Sequence, residues 1–169
     1  IFVIRNSFAH LIIQNNFAER VIRVRPFPHI GPGQRLGFVT ADFASQVAAI
    51  ENGKQEPIMN VGNLTARRDF TDVRDVVRAY RLLMEKGQLG EVYHVASGKA
   101  VSIQEILDRL LAMSSVKITV RHDDSRTRPN DIPVLVGDAS KLRAATGWEP
   151  QIPLEQSLQD ILNWWRKQT

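Results

Sequence analysis

VIRVRPFPHIGPGQRLG, residues 21–37, joins an apolar, β-branched run to a loop rich in glycine and proline. The run predicts a strand over residues 20–25, and a strand that ends in a glycine-rich loop begins many nucleotide sites. The dinucleotide fingerprint spaces its glycines as G-x-G-x-x-G, whereas this loop reads G-P-G-x-x-x-G. Pro32 also removes a backbone N–H that a phosphate cradle would use. We therefore predict a turn here and no cofactor fingerprint.

Helical and strand patterns alternate along the rest of the chain. Apolar residues at helical spacing predict helices, and short β-branched or alternating runs predict strands. The predicted helices cover residues 6–18, 38–51, 72–86, 103–113, 138–147 and 154–166, and the further strands cover 56–63, 90–97 and 116–122. This alternation predicts an α/β fold.

Polar residues mark three of the helix starts. Asp72 is placed to cap the most strongly patterned helix, and Ser102 with Glu105 has the spacing of a capping box. Thr40 is a candidate cap for the helix over residues 38–51. The apolar face of the 72–86 helix is predicted to contain Val76, Val77, Tyr80, Leu83 and Met84.

Composition excludes several classes of function. The 169 residues include no cysteine, which rules out a disulfide framework, a thiolate metal site and a cysteine nucleophile. A net charge of +4 suits an anionic small molecule, but the basic residues are scattered, so we expect no nucleic-acid partner. No apolar run has the length of a membrane span. We expect a cytoplasmic protein with no membrane partner.

Six motifs occur in a fixed order and carry a resemblance to a known family. They are RPFPHIGPGQ, GFVTADFASQVAAIE, VGNLTARRDFTDVRDVVRAY, GEVYHVASGKAVSIQEIL, RTRPNDIPVLVGDASKLRAATGWEP and LEQSLQDILNWWR. Over residues 20–168 the chain resembles the carboxyl-terminal, substrate-binding part of a Rossmann-type extended short-chain dehydrogenase/reductase of the epimerase/dehydratase family. This implies a remnant of the dinucleotide-binding half at residues 1–30 and a sugar-nucleotide domain at residues 31–169.

The resemblance is greatest to the members that act on GDP-sugars. It implies reduction of GDP-4-keto-6-deoxy-D-mannose to GDP-D-rhamnose, with NADP or NAD as cofactor of the intact enzyme. The alternatives are a part of a GDP-mannose 4,6-dehydratase and a non-catalytic nucleotide-sugar binding or interaction module. The family's catalytic Tyr-x-x-x-Lys is missing, because Met84 and Ser97 stand four places after the two tyrosines. We therefore expect the isolated chain to bind no cofactor and to be inactive.

Two arginines and one acid match family positions that hold the nucleotide. Arg68 matches the arginine that binds the diphosphate, Arg128 matches a second nucleotide arginine, and Asp131 falls where relatives place a carboxylate on the ribose hydroxyls. Arginine suits a diphosphate because its fork donates paired hydrogen bonds and stays charged. The other interpretations are an ion pair of Arg68 with a neighbouring aspartate, and a solvated loop around Arg128.

Phe38, Val39 and Thr40 match the family segment that borders the guanine and the diphosphate. From the residues alone, they are simply the start of a helix.

Pro26, Phe27 and His29 match the segment that passes beside the nicotinamide. Pro28 departs from the family, whose members carry a substrate-contacting asparagine there, and proline cannot supply that hydrogen bond.

The strand over residues 20–25 would be central in an intact sheet, and here we expect it to lack a neighbour on one side. An unpaired apolar edge favours pairing with another chain. We therefore expect a homo-oligomer, or a separate cofactor-binding half as partner.

Overall fold

The computed structural model describes residues 3–4, 21–123, 125 and 132–169. The strands are β1 (Val3–Ile4), β2 (Ile22–Pro26), β3 (His29–Ile30), β4 (Ile58–Val61), β5 (Arg67–Asp69), β6 (Thr71–Asp72), β7 (Val92–Val95), β8 (Ala100–Ser102), β9 (Thr119–His122) and β10 (Val134–Leu135). The helices are α1 (Val39–Glu51), α2 (Val73–Lys86), α3 (Ile103–Ala112), α4 (Ser140–Thr146) and α5 (Leu154–Gln168). The predicted α/β fold is confirmed, and only the predicted helix over residues 6–18 lies outside the described residues.

The chain forms two compact units, each assembled from three stretches. The first unit contains Ile1–His29, Asp69–Lys99 and Val136–Ile152, and the second contains Ile30–Arg68, Ala100–Leu135 and Pro153–Thr169. The functional division at residue 30 stays a prediction. Across the ranges that the structure describes, no helix is both long and apolar enough to pass through a bilayer.

The first unit contains a parallel sheet in the order β1-β2-β7. Strand β2 pairs with β7 from Arg23↔Val92 to Pro26↔Val95, and its first two residues pair with Val3 and Ile4 of β1. The expectation that one side of this strand lacks a neighbour is therefore wrong at its start. A partner strand of two residues is too short for a sequence pattern to reveal.

The core of the first unit lies where α2 and α4 pack against this sheet. Its buried members include Ile22, Val24, Val76, Leu83, Tyr93, Val95, Leu142 and Trp148. The Trp148 side chain is fully buried, and its Nε1 donates to the carbonyl oxygen of Asp75 at 3.0 Å. This hydrogen bond satisfies the indole N–H inside the core, so Trp148 packs there without an unpaired donor.

Helix α2 begins and ends as predicted, but it turns a different face to the core. The Asp72 carboxylate accepts from the Arg74 N–H at 2.8 Å and so caps the helix. Val77 and Met84, which were expected to be buried, are 59% and 52% exposed. Asp75 and Ala79 are buried in their place. The small Ala79 allows close approach, and the Asp75 carboxylate accepts from the N–H groups of residues 151 and 152.

The second unit is built from helices α1, α3 and α5, which pack on one another. Strands β4 and β9 pair in parallel from Ile58↔Thr119 to Val61↔His122, and a second sheet has the order β10-β5-β8. The capping box at α3 is confirmed, because the Ser102 side chain accepts from the Glu105 N–H and Glu105 accepts in return. Buried alanines on α1 keep its contacts with neighbouring helices close.

An ion pair joins the carboxyl-terminal turns of α1 and α5. The Glu51 carboxylate accepts from Arg166 at 2.7 and 2.8 Å and from the Ser115 N–H at 2.9 Å. The Arg166 hydrogen bond lowers the pKa of Glu51 from 4.5 to about 2. The carboxylate is thus stabilised in its charged form in the folded state.

We expect this pair to make stability depend on pH. Because the folded pKa of Glu51 lies below the unfolded one, its contribution is present above pH 4.5 and is lost as pH falls towards 2. Near pH 6, Glu51→Gln should lower the free energy of unfolding by about 1–3 kcal/mol in urea titrations. The difference from wild type should shrink below pH 4.5. Glu85→Gln, at an exposed pair on α2, should leave the pH profile unchanged, and an identical profile for Glu51→Gln would refute the assignment.

Candidate functional site

The glycine loop between β3 and α1 has the contacts of a turn, as predicted. The Gln34 N–H donates to the Gly31 carbonyl at 3.3 Å, and the Gly37 N–H donates to Oδ1 of Asp42 at 2.8 Å. Gly33 and Gly37 have φ values of +80° and +93°, a region that favours glycine. The backbone donors of Gln34 and Gly37 are thus used within the loop and by the first turn of α1.

The predicted trio at the start of α1 divides between surface and core. Phe38 is the N-cap residue and is 46% exposed, with the Arg35 guanidinium 5.7 Å from its ring centroid. Val39 is half-buried, and Thr40 is buried. Thr40 is not the cap, because it lies inside the first turn and its hydroxyl donates to Oε1 of Gln34 at 3.0 Å. Its side chain holds the preceding loop instead.

Arg68 lies on β5, and its guanidinium is fixed by two carbonyl groups. Nη1 donates to the carbonyl oxygens of Arg67 at 2.8 Å and Ile132 at 2.6 Å. Strand β5 pairs in parallel with β10, with Arg68 opposite Leu135, and this pairing brings the Arg68 guanidinium close to the Ile132 carbonyl. Arg68 therefore contacts Ile132, the residue that directly follows Asp131 in the sequence. Arg128 and Asp131 themselves are outside the described residues.

The neighbouring arginine is held differently. Arg67 donates through Nη2 to the Ala100 carbonyl at 2.9 Å, and its Nη1 lies 3.7 Å from Oε2 of Glu105. The acids considered as partners of Arg68 also have donors of their own. These donors are Ser97, Gly98 and Gly137 for Asp69, Arg74 for Asp72, and Arg78, Gln151 and Ile152 for Asp75.

Asp69 is a fully buried carboxylate that the sequence analysis treated only as a possible partner of Arg68. It accepts from the N–H and hydroxyl of Ser97 at 2.9 and 2.5 Å, from the Gly98 N–H at 2.9 Å and from the Gly137 N–H at 3.1 Å. Four donors from two separate loops make it the polar centre of the first unit. A sequence pattern has no means of showing such long-range donors.

The segment predicted to pass a nicotinamide lies at the carboxyl end of β2. The Phe27 N–H donates to the Val95 carbonyl at 2.9 Å, and its ring meets the ring of His94 edge-on at 5.8 Å. His29 Nδ1 lies 3.2 Å from the Phe27 carbonyl oxygen, and Pro26 is the last residue of the strand. A Cβ on Gly137 would come within 2.7 Å of the Phe27 ring, which requires glycine there. The Phe27 and His94 rings thus form an angled aromatic surface at the carboxyl ends of the parallel strands β2 and β7.

The second unit also contains a polar cavity that the sequence did not indicate. Its volume is about 600 Å³, within the range of small-molecule sites. The side chains that line it include Leu36, Asp42, Gln46, Glu56, Asn60 and Arg121. They come from α1, from the two strands β4 and β9 and from the loops before α1 and β4, so only tertiary packing brings them together. Within the ranges described, no cluster of three acids or histidines could hold a metal ion.

The family model for GDP-mannose 4,6 dehydratase matches residues 8–161 of this chain. The chain belongs to this family. The resemblance to extended short-chain dehydrogenases/reductases drawn from the six motifs is thereby confirmed.

Two curated relatives illustrate the range of the family. GDP-6-deoxy-D-mannose reductase from Pseudomonas aeruginosa is 40% identical over 146 residues, which is 86% of this chain and 48% of that protein. GDP-mannose 4,6 dehydratase 2 from Arabidopsis thaliana is 31% identical over 132 residues, which is 77% of this chain and 35% of that protein. The chain thus spans about half or less of the length of the curated relatives it matches.

A solved structure from the same family has the same fold. RMD from Pseudomonas aeruginosa, solved in complex with NADPH, superposes with a TM-score of 0.87 at 38% sequence identity. The match covers 95% of this chain and 54% of that one.

Proposed function

We propose that this chain is the substrate-binding portion of an oxidoreductase that reduces GDP-4-keto-6-deoxy-D-mannose to GDP-D-rhamnose. The observation that carries the proposal is the position of the Arg68 guanidinium, which donates to the Ile132 carbonyl at 2.6 Å, next in sequence to the predicted site residue Asp131. The 40% identity to a GDP-6-deoxy-D-mannose reductase supports the reductase assignment.

Each site residue has a role in this proposal. Arg68 binds the diphosphate, with Arg128 as the second cation and Asp131 as the acceptor for the ribose hydroxyls. The backbone at Val39 and Thr40 borders the same nucleotide. The exposed ring of Phe38 offers a flat apolar surface to it.

The cofactor of the intact enzyme is NADP or NAD, with Pro26, Phe27 and His29 beside its nicotinamide. When bound, that cofactor supplies the hydride, and a separate proton donor must neutralise the developing alkoxide. Tyr80 and Tyr93 lack the lysine four places on that the family's donor requires. These 169 residues therefore need a cofactor-binding half for the reaction, because another copy of the same chain lacks the same Tyr-x-x-x-Lys.

Calorimetric titration with GDP-mannose and with NADPH tests the proposal. We expect GDP-mannose to bind and NADPH to give no heat. No binding of any GDP-sugar at millimolar concentration would contradict the proposal. Comparing GDP-D-rhamnose with GDP-mannose separates the two family activities, since the first is the reductase product and the second is the dehydratase substrate. Tighter binding of GDP-mannose would favour a dehydratase.

We expect the chain alone to show no NADPH-dependent reduction of GDP-4-keto-6-deoxy-D-mannose. The reason is the missing Tyr-x-x-x-Lys, because the reduction needs a proton donor that the family takes from that motif. The measurement is NADPH absorbance at high protein concentration, with the full-length Pseudomonas reductase as a positive control. Turnover that exceeds the background rate would show that another group donates the proton.

A further inference from the structure

The parallel sheet of the first unit has two unlike faces, because side chains alternate between the two sides of a strand. The face that packs against the helices is formed by Ile22, Val24, Tyr93 and Val95, all buried. The opposite face is formed by Arg23 and Arg25 on β2 and by Val92 and His94 on β7. Arg25 is exposed and the other three are half-buried. We call these four residues the basic face.

The strand register places the members of the basic face side by side. Arg25 pairs with His94, and Arg23 pairs with Val92. Nη2 of Arg23 donates to the Gly90 carbonyl at 2.9 Å, which holds that guanidinium in place. Among the residues that the structure describes, Arg25 has no hydrogen-bond or ion-pair partner. The basic face therefore presents a guanidinium that is available to a ligand or partner.

The acids near this face are used by other donors. Asp138 interacts electrostatically with His94, and its carboxylate accepts from the Ser140 N–H at 2.8 Å. Glu91 interacts with Arg23 and forms an ion pair with Lys141. The positive charge of Arg25 is thus left without a carboxylate in the described part of the first unit.

The basic face requires a cover that carries acceptors. Purely parallel sheets are normally covered on both faces, and burying an unpaired guanidinium is strongly unfavourable. A carboxylate is the matching group, because it accepts paired, charge-assisted hydrogen bonds from an arginine fork. A second copy of the chain does not fit here, since a two-fold axis would place the same arginines against each other.

The position of the basic face also indicates which polypeptide covers it. Phe27 follows Arg25 at the carboxyl end of β2, and its ring meets the His94 ring edge-on. A body that covers the basic face would therefore reach the segment assigned above to the nicotinamide. The chain matches 48% of the length of the Pseudomonas aeruginosa reductase, so such a relative contains about as much chain again.

We propose that the basic face is the docking surface for a cofactor-binding half and that a carboxylate of that half binds between Arg25 and His94. The Arg25 fork donates to this carboxylate, and an imidazole N–H of His94 is a further donor. This inference rests on the proposed function, since it names the surface through which the required cofactor-binding half joins this chain.

Co-expression of the 169-residue chain with the portion of the Pseudomonas aeruginosa reductase that it does not match tests the inference. We expect a one-to-one complex that weakens as salt is raised, because salt screens the interaction between charges. Arg25→Glu should weaken the complex at least about tenfold in a dilution series followed by sedimentation velocity. Arg25→Lys should retain part of the affinity, since it keeps the charge without the planar fork.

Arg81→Glu is the matched control. It makes the same change of charge at an exposed position of α2, where Arg81 pairs with Glu85. Because α2 packs against the other face of the sheet, we expect Arg81→Glu to bind the partner within a factor of about two of wild type. Thermal unfolding verifies that each variant is folded.

Three outcomes would overturn the inference. They are the absence of a complex with wild type, equal losses in Arg25→Glu and Arg81→Glu, and a homodimer of this chain that Arg25→Glu dissociates. The last outcome would assign the face to a second copy.

GDP-mannose binding separates this inference from the proposed function. Arg25→Glu should bind GDP-mannose like wild type, because Arg25 lies outside the predicted nucleotide site. If the basic face fails its test, GDP-mannose binding that depends on Arg68 would still support the proposed function. A complex that requires Arg25, together with no binding of any GDP-sugar, would uphold the docking surface and refute the proposed substrate.

Discussion

Replacing Arg68 by alanine should lower the affinity of the chain for GDP-mannose by about 10- to 100-fold in calorimetric titration. A hydrogen bond to a charged group contributes about 1.5–3 kcal/mol, and each 1.4 kcal/mol changes the dissociation constant tenfold. Arg68→Lys should recover only part of the loss, since an ammonium keeps the charge without the planar fork. The Ile132 carbonyl bond orients that fork in the wild type.

Arg67→Ala provides the matched control for this measurement. Arg67 is the adjacent arginine on β5, but its guanidinium is directed to the Ala100 carbonyl and to Glu105. We expect Arg67→Ala to bind GDP-mannose within a factor of about two of wild type, which is the range of a weak exposed contact. Equal losses in the two variants would indicate a general electrostatic effect and not a diphosphate site. Thermal unfolding of each variant verifies that the fold is intact.

Replacing Asp69 by alanine should destabilise the chain more than any surface substitution. The buried carboxylate accepts four hydrogen bonds from Ser97, Gly98 and Gly137, and its removal leaves those donors without an acceptor. An unsatisfied buried donor costs about 1–3 kcal/mol. Only the Gly137 N–H is fully buried and the donors of Ser97 and Gly98 regain water, so we expect a total loss of about 3–5 kcal/mol. This loss of stability can be measured by urea unfolding, monitored through tryptophan fluorescence, since Trp148 is buried in the same unit.

Asp69→Asn distinguishes hydrogen bonding from packing at this position. The amide has nearly the same shape, but it directs its own N–H groups at donors that need an acceptor. We expect Asp69→Asn to lose at least half as much stability as Asp69→Ala. Asp138→Ala, an exposed acid beside Gly137, should have a clearly smaller effect. Wild-type stability for Asp69→Asn would show that the four hydrogen bonds contribute little.

Local patterns predicted most of the secondary structure because each depends on neighbours within a few residues. Asp72 caps α2, Ser102 and Glu105 form their box, and Gly147 ends α4 with φ +71°. These features require only the backbone geometry of one turn. Which face of α2 is buried was harder to predict, because the apolar spacing is equally compatible with a buried Val77. In the folded chain, α2 instead buries the small Ala79 and Asp75, whose carboxylate accepts from the N–H groups of residues 151 and 152.

Sequence alone determined the α/β class, the order of the longer elements and the family, since six ordered motifs and a periodic pattern are properties of the chain itself. It also identified Arg68 as a candidate for the diphosphate. Only the tertiary structure brought Asp42 on α1 together with Asn60 on β4 and Arg121 on β9 around one cavity. It likewise surrounded Asp69 with donors 28 and 68 residues away. Such groups interact through space, and no local sequence pattern encodes which distant strand and loop will supply their neighbours.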